Sequence, residues 1–199
     1  MSWDQRYASD EYHYGVEPNA FLVREARRIA PGAHVLAVAD GEGRNGVFLA
    51  GRGARVHAVD GSAVGIAKAK RLAADRGVML THEQVDLLTW DWPVAAYDAV
   101  VAIFVQFVDP EDRPAFFANM KRVLKPGGVL LLEGYGPGQL AYGTGGPRYA
   151  EQLYTQEMLR QAFADMRIEV LSAYDAVIEE GTAHSGMSAL VDLVAIKHK

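Results

Sequence analysis

Val35-Leu-Ala-Val-Ala-Asp-Gly-Glu-Gly-Arg-Asn45 is the stretch from which the rest of the chain is best read. It continues an apolar run, Ala33 to Ala39, too brief for a helix and rich in strand formers. Glycines follow at once in Asp40-Gly41-Glu42-Gly43-Arg44-Asn45-Gly46, where a strand ends and a helix begins. Glycine there permits a tight turn and lets backbone N–H groups approach a ligand, while the helix N-terminus favours negative charge. A second strand, Val56-His-Ala-Val-Asp60, ends roughly twenty residues on in a carboxylate, where an acid can accept both hydroxyls of a ribose. Strand, glycine loop, helix, strand and acid together point to a bound nucleoside.

The same alternation runs outward from this unit. Val78 to Asp86, Tyr97 to Phe104, and Val129-Leu-Leu-Leu-Glu-Gly-Tyr135 after the turn Lys125-Pro-Gly-Gly128 are further strands. Near-continuous apolar runs of this kind suit a sheet covered on both faces. Between them the spacing is helical. Pro18 opens a helix with Leu22, Ala26 and Ile29 on one face, stopped by Pro31-Gly32. Ser62 caps a helix through Ala74, with Lys68, Lys70 and Arg71 expected in solvent. Pro114 opens a third, burying Phe116 or Phe117, Met120, and Val123 or Leu124; Thr155 caps a fourth, to about residue 164. Arg167 to Tyr174 and Ser188 to Ile196 read as two strands with Asp175 to Met187 as a link lacking helical pattern, so they should pair antiparallel. The fold class is α/β: a Rossmann-like, seven-stranded, mostly parallel sheet with helices on both faces. Residues 1–199 read as one domain.

Composition narrows the function. At 199 residues the chain should bury roughly 70% of its unfolded surface without staples. A net charge of −5 argues against an electrostatic grip on nucleic acid or an anionic membrane. With no cysteine there is no disulfide framework, thiolate nucleophile or Cys-ligated metal. The histidines lack metal-ligand spacing, so no metal site is expected. His13, His82 and His198 read as surface residues, and His34 and His57 as strand positions. Met1 to Arg6 is charged and aromatic rather than a signal peptide, and the longest apolar run, Ala99 to Val108, is far short of the ~20 residues that span a bilayer. The expectation is a soluble, cytoplasmic protein.

A nicotinamide dinucleotide is one candidate nucleoside, but the chain is short for a coenzyme domain plus a substrate domain and has no Tyr-x-x-x-Lys pair. The residues instead resemble another family. The opening stretch, Ala58-Val-Asp-Gly-Ser62, Asp86-Leu87, Tyr97-Asp-Ala-Val-Val101 and Val123-Leu-Lys-Pro-Gly-Gly-Val-Leu-Leu-Leu132 are similar to the ordered motifs of class I S-adenosylmethionine-dependent methyltransferases, over about residues 17 to 135. Trp3-Asp-Gln-Arg-Tyr7 and Tyr14-Gly-Val-Glu-Pro-Asn-Ala-Phe-Leu22 resemble the small bacterial branch related to tellurite-resistance and thiopurine methyltransferases. The resemblance implies strand order 3-2-1-4-5-7-6 with the last strand antiparallel, and S-adenosyl-L-methionine as cofactor. It implies that Asp60, within Asp60-Gly61-Ser62, holds the ribose and that Asp86 accepts from the adenine amine. The backbone of Ala39, Gly41 and Gly43 would pass the methionine moiety, Leu87 and Ile103 would flank the adenine or thioether, and Tyr14 and Arg6 would approach from the N-terminal segment. The sequence departs from the family pattern at Ala37, where an acid is usual, and at Ala39, where glycine is usual; Asp40 is a possible substitute for the acid.

An acceptor pocket should form where the fifth strand ends. Gly134 to Tyr149 is glycine-rich, with Tyr135, Tyr142 and Tyr149 interspersed. Linkers favour small polar residues over tyrosine, so residues 134–154 read as an acceptor-pocket loop. Residues 1–16, with Trp3 and Tyr7, read as a lid. Glu133, Tyr135 and His184 are the candidate catalytic residues, His184 or Glu133 as base for an acceptor that arrives protonated. Trp90-Asp-Trp-Pro93 reads as a hydrophobic plug beside the adenine or the sheet edge. The partner is then a small-molecule methyl acceptor, a thiol or chalcogen oxyanion by resemblance, rather than nucleic acid or membrane. An RNA or protein methyltransferase and a non-catalytic nucleoside-binding module are the rival readings.

Overall fold

In a computed structural model, residues 2–181 and 184–199 are described. Seven strands form one sheet in the order β3-β2-β1-β4-β5-β7-β6. Strands β1 (His34–Val38), β2 (Arg55–Asp60), β3 (Thr81–Gln84), β4 (Tyr97–Ile103) and β5 (Leu124–Tyr135) pair in parallel; β7 (His184–Lys197) is antiparallel to β5 and to β6 (Met166–Glu180). The expected fold class and strand order are therefore found.

Each sheet face has its own core. On one face Phe21 and Leu22 of α2 (Ala20–Glu25) pack with Val35, Ala37, Val101 and Leu131. On the other, Phe116, Phe117 and Met120 of α5 (Arg113–Val123) pack with Leu36, Val100, Leu130 and Leu132. Neighbours along one strand thus alternate between two apolar layers, which is why the strands read as continuous hydrophobic runs. The helix carrying the Ile29 stripe is capped by Asn19 rather than opened by Pro18, and tightens into a 3-10 turn over Ala26–Arg28. Trp92 belongs to the α5-side core and donates its indole N–H to the Leu87 carbonyl at 3.0 Å.

Four expectations are corrected. Asp175 to Met187 is no simple link, because β6 and β7 continue through it to the pair Glu180 and His184. Tyr174, Ala176, Ile178 and Glu180 alternate with more exposed neighbours, the period of a half-buried strand. Lys68, on α4 (Ala63–Asp75), is buried rather than solvated, for reasons given below. His13 and His82 are half-buried. The third strand is also shorter than read: Val78, Met79 and Leu80 lie outside it.

Candidate functional site

A cavity of about 1080 Å³ opens at the carboxyl ends of β1, β2 and β4, above the crevice where strand order reverses. Ligands bind at that point in open α/β sheets because the strand ends and helix N-termini converge there. The floor comes from the loop between β1 and α3 (Arg44–Gly51). Gly41 takes a left-handed φ of 57°, and a Cβ there would lie 2.7 Å from the Tyr7 hydroxyl, so only glycine fits beneath the N-terminal segment. Ala39 takes a φ of 51°, the conformation that glycine would hold without strain.

Asp60, at the end of β2, lines the cavity and is nearly buried. Burial pushes its carboxyl up, while the amides of Ser62 and Gly41, each donating at 2.8 Å, favour the charged form. Gly61 and Leu87 line the same side, as does Asp86, whose Oδ1 accepts from the Leu88 amide at 3.0 Å. Ile103 closes that wall at the end of β4. Arg6 and Tyr14 reach the cavity from the N-terminal segment.

Gly43 and Ser62 do not line the cavity. Gly43 has a φ of 92°, and a Cβ there would fall 2.6 Å from the Ala69 Cβ, so it lets α3 pack against α4. Ser62 caps α4 by accepting from the Gly65 amide at 3.0 Å, and its hydroxyl donates to Asp4 at 2.5 Å. Asp40 lines the cavity, but its carboxylate is bonded to α3: Oδ1 accepts from the Gly46 amide at 3.0 Å, and Oδ2 is buried without a hydrogen-bond partner. Burial raises its pKa to about 7. Ala37 sits in the α2-side core.

Tyr135 and His184 line the cavity with Gly145, Gly146, Pro147, Arg148 and Tyr149. His184 is walled by rings: Tyr14 at 4.5 Å, Phe104 at 4.6 Å and Tyr135 at 5.4 Å between centroids. Burial holds its pKa below the ordinary imidazole value despite the nearby Glu180 carboxylate. Tyr142 turns outward to Asp175 at 2.9 Å and does not line the cavity. Glu133 is a correction as well. It continues the alternation of Val129 and Leu131 onto the α2 face, where its Oε1 accepts from Asn19 Nδ2 at 2.6 Å, and it does not line the cavity.

Sequence reasoning missed several residues. Phe104, just beyond β4, has a φ of 56°, costly for an aromatic residue, and stacks on Tyr135 at 4.6 Å. Gln106 clamps the end of β5, accepting from the Tyr135 amide and donating to the carbonyls of Tyr135 and Gln152. Their place after a central strand was the available signal. Arg44 and Glu180, joined at 2.6 Å, and His13 had no comparable one.

The methyltransferase-domain family matches residues 35–128. A glycine/sarcosine N-methyltransferase from Halorhodospira halochloris is 30% identical over 140 residues, covering 67% of this chain and 48% of that protein. The chain thus spans about half the length of that curated relative. Among solved structures, one described for conversion of a disulfide bond into a thioacetal group during echinomycin biosynthesis superposes with a TM-score of 0.77 at 20% identity, covering 98% of this chain and 91% of that one. TehB from Haemophilus influenzae gives 0.75 at 17% identity, covering 98% and 65%. Over residues 35–128 the chain thus matches a methyltransferase domain, and its fold is the one shared with these solved structures, which points to S-adenosylmethionine as the cofactor. The residues fit that cofactor: a nearly buried carboxylate at the β2 end, a second acid beyond β3, and the turn through Asp40 and Gly41 all line one cavity. Among the described residues no helix is long and apolar enough to cross a membrane.

Proposed function

We propose that this chain transfers a methyl group from S-adenosylmethionine to a small-molecule acceptor, with His184 taking the acceptor's proton. The observation that carries this reading is one cavity lined both by Gly41, Asp60 and Asp86 and by Tyr135 and His184. Asp60 would hold the ribose hydroxyls and Asp86 the adenine amine, with Arg6, Tyr14 and the Gly41 backbone beside the methionine moiety. The cofactor supplies a methyl group on a sulfonium, whose departure as a neutral thioether needs no acid. What remains for the protein is alignment, exclusion of water and removal of a proton.

The chain has parts for each task. Trp3 stacks on Tyr7 and meets Phe107 edge-on at 6.4 Å, so the N-terminal segment touches the loop after β4 and roofs the cavity. A neutral imidazole at physiological pH is the form able to accept a proton.

The branch resemblance favours a soft acceptor, a thiol or chalcogen oxyanion, and the neighbour described for thioacetal formation also concerns sulfur chemistry. The glycine/sarcosine relative favours a second reading, an amine, for which the base matters more because a thiol of pKa ~8.5 ionises readily. Mass spectrometry of the denatured protein should find copurified S-adenosylhomocysteine. A screen of thiols, selenite, small amines, hydroxyl compounds and tRNA should then show S-adenosylhomocysteine release with a small-molecule arm alone. Turnover with tRNA only, or tighter binding of NADH than of S-adenosylmethionine, overturns the proposal.

A further inference from the structure

We propose that Glu180 is a positioning residue of this site, shared between Arg44 beside the glycine loop and His184 on the acceptor side. This rests on the reading of His184 as proton acceptor. Glu180 closes β6, His184 opens β7, and the two are register partners across the hairpin, so their side chains leave the same face. Glu180 Oε2 lies 2.6 Å from Arg44 Nη2 and 3.7 Å from His184 Nδ1. Its other oxygen accepts from Asn19 Nδ2 at 3.0 Å. Asn19 is itself fixed, its Oδ1 accepting from the Leu22 amide at 2.9 Å and its amide donating to Asn45 Oδ1 at 3.0 Å. One carboxylate therefore ties the start of α3, the cap of α2 and the tip of the hairpin.

The two distances from Oε2 differ in kind. At 2.6 Å the Arg44 contact is a charge-assisted hydrogen bond, whereas 3.7 Å to the imidazole is beyond one. Nδ1 of His184 and Nη1 of Arg44 are both buried without a hydrogen-bond partner, so each has capacity for the same carboxylate. While the ring is neutral, Arg44 is the stronger claimant. Once the acceptor's proton moves to the imidazole, the ring is a cation and Oε2 gains by closing on it. Only a proton moves: it leaves the acceptor for the ring, Glu180 stays ionised, and the ring later releases it to solvent. The groups that face His184 are Arg44 from α3, Glu180 from β6, Tyr135 from β5, and His13 and Tyr14 from the N-terminal segment, with Glu133 behind Asn19.

The experiment is an NMR titration of the ¹³C-labelled imidazole of His184 in the full chain with S-adenosylhomocysteine bound. Glu180→Gln should lower the midpoint by about one pH unit or more, because the imidazolium loses its anion. Arg44→Gln should raise it by a similar amount, because a cation is removed and the carboxylate is freed. Loosened structure would instead move both variants up toward the ordinary imidazole value. A midpoint in Glu180→Gln equal to or above wild type overturns the proposal. If that variant does not fold, an unchanged or lowered midpoint in Arg44→Gln does so. Transferase assays on the wild-type chain judge the methyl-transfer reading separately: opposed shifts in a chain that methylates nothing would leave the shared carboxylate standing and remove the proposed function.

Discussion

A carboxylate at the end of a buried strand stays ionised only if something donates to it, and Asp60 has the amides of Gly41 and Ser62 for that purpose. Each oxygen keeps a lone pair for the two hydroxyls of a ribose. Asp60→Ala should weaken S-adenosylhomocysteine binding by roughly 2–4 kcal/mol, from charge-assisted hydrogen bonds lost together. Calorimetric titration of the folded variant checks this, and unchanged affinity would remove Asp60 from the site. Asp60 was legible because its spacing from the glycine loop is fixed by one turn of the fold. The backbone of Ala39 is a different case. The sequence has an alanine where the pattern it resembles has glycine, and the structure shows it at a φ of 51°. An L-residue there costs roughly 1–2 kcal/mol, partly offset by the extra unfolded-state freedom of glycine. Ala39→Gly should therefore raise stability by about 0.5–1 kcal/mol, read as a thermal midpoint about 1–4 °C higher. A lower midpoint would mean that the methyl group packs better than its conformation suggests.

Lys68 shows how an element is placed by a residue that periodicity misassigns. Its helical position looked solvated, yet the ammonium lies 2.5 Å from the Glu42 carboxylate and donates to the carbonyls of Ser9 at 3.0 Å and Glu11 at 2.6 Å. Glu42 accepts in turn from the Tyr14 amide at 3.2 Å. Asp4 sits at the start of α4, accepting from Ser62 and the Val64 amide. The N-terminal segment is thus docked on α4 and the glycine loop by its own backbone, and Tyr7 is buried against Gly41 and Gly65. No hydrophobic period could announce this, because the partners of Lys68 are a carboxylate and main-chain oxygens. Removing only one charge would leave its partner buried and unpaired, so the pair is changed together. In Lys68→Met/Glu42→Gln, limited proteolysis between residues 3 and 14 should run at least about tenfold faster, since opening is a local equilibrium. S-adenosylhomocysteine should slow cleavage in wild type if the segment is also a lid. Equal cleavage of wild type and variant would mean that this cluster does not hold it. The hairpin β6–β7 offers the opposite lesson. Its alternation is present in residues 174–180, yet the stretch from Asp175 to Met187 reads as a link because it lacks a helical pattern.

Glu133 and Asp192 are register partners on adjacent strands, buried where α2, β5, β7 and β6 meet. Burial first, then each other's charge, raises the pKa of Glu133 well above the usual carboxylate value; burial also raises that of Asp192. Arg24 on Asp192 at 2.7 Å and Asn19 on Glu133 offset part of the cost. A raised carboxyl pKa means that the folded state holds a proton the unfolded chain has released. Stability is then fullest below pH ~4 and falls as pH climbs through the pair's upper value. Glu133→Gln makes that site permanently neutral. Urea unfolding should find it more stable than wild type at pH 8, with the difference shrinking toward pH 4.5; a difference independent of pH would contradict the shared proton.

The alternation of strands and helices along the chain, the glycine loop and the acid at the end of the second strand were determined by sequence alone, because each is a local pattern whose meaning does not depend on distant contacts. What only the tertiary structure decided was which polar side chains face the cavity and which stitch the molecule together. Glu133 and Tyr135 are two residues apart on one strand, yet one is fixed to α2 and the other lines the site. Arg44, Asn19 and Glu180 are far apart in the chain and meet in one buried network. A hydrogen bond depends on where two atoms lie within a few tenths of an ångström, and for residues more than a hundred positions apart the folded chain alone sets that distance.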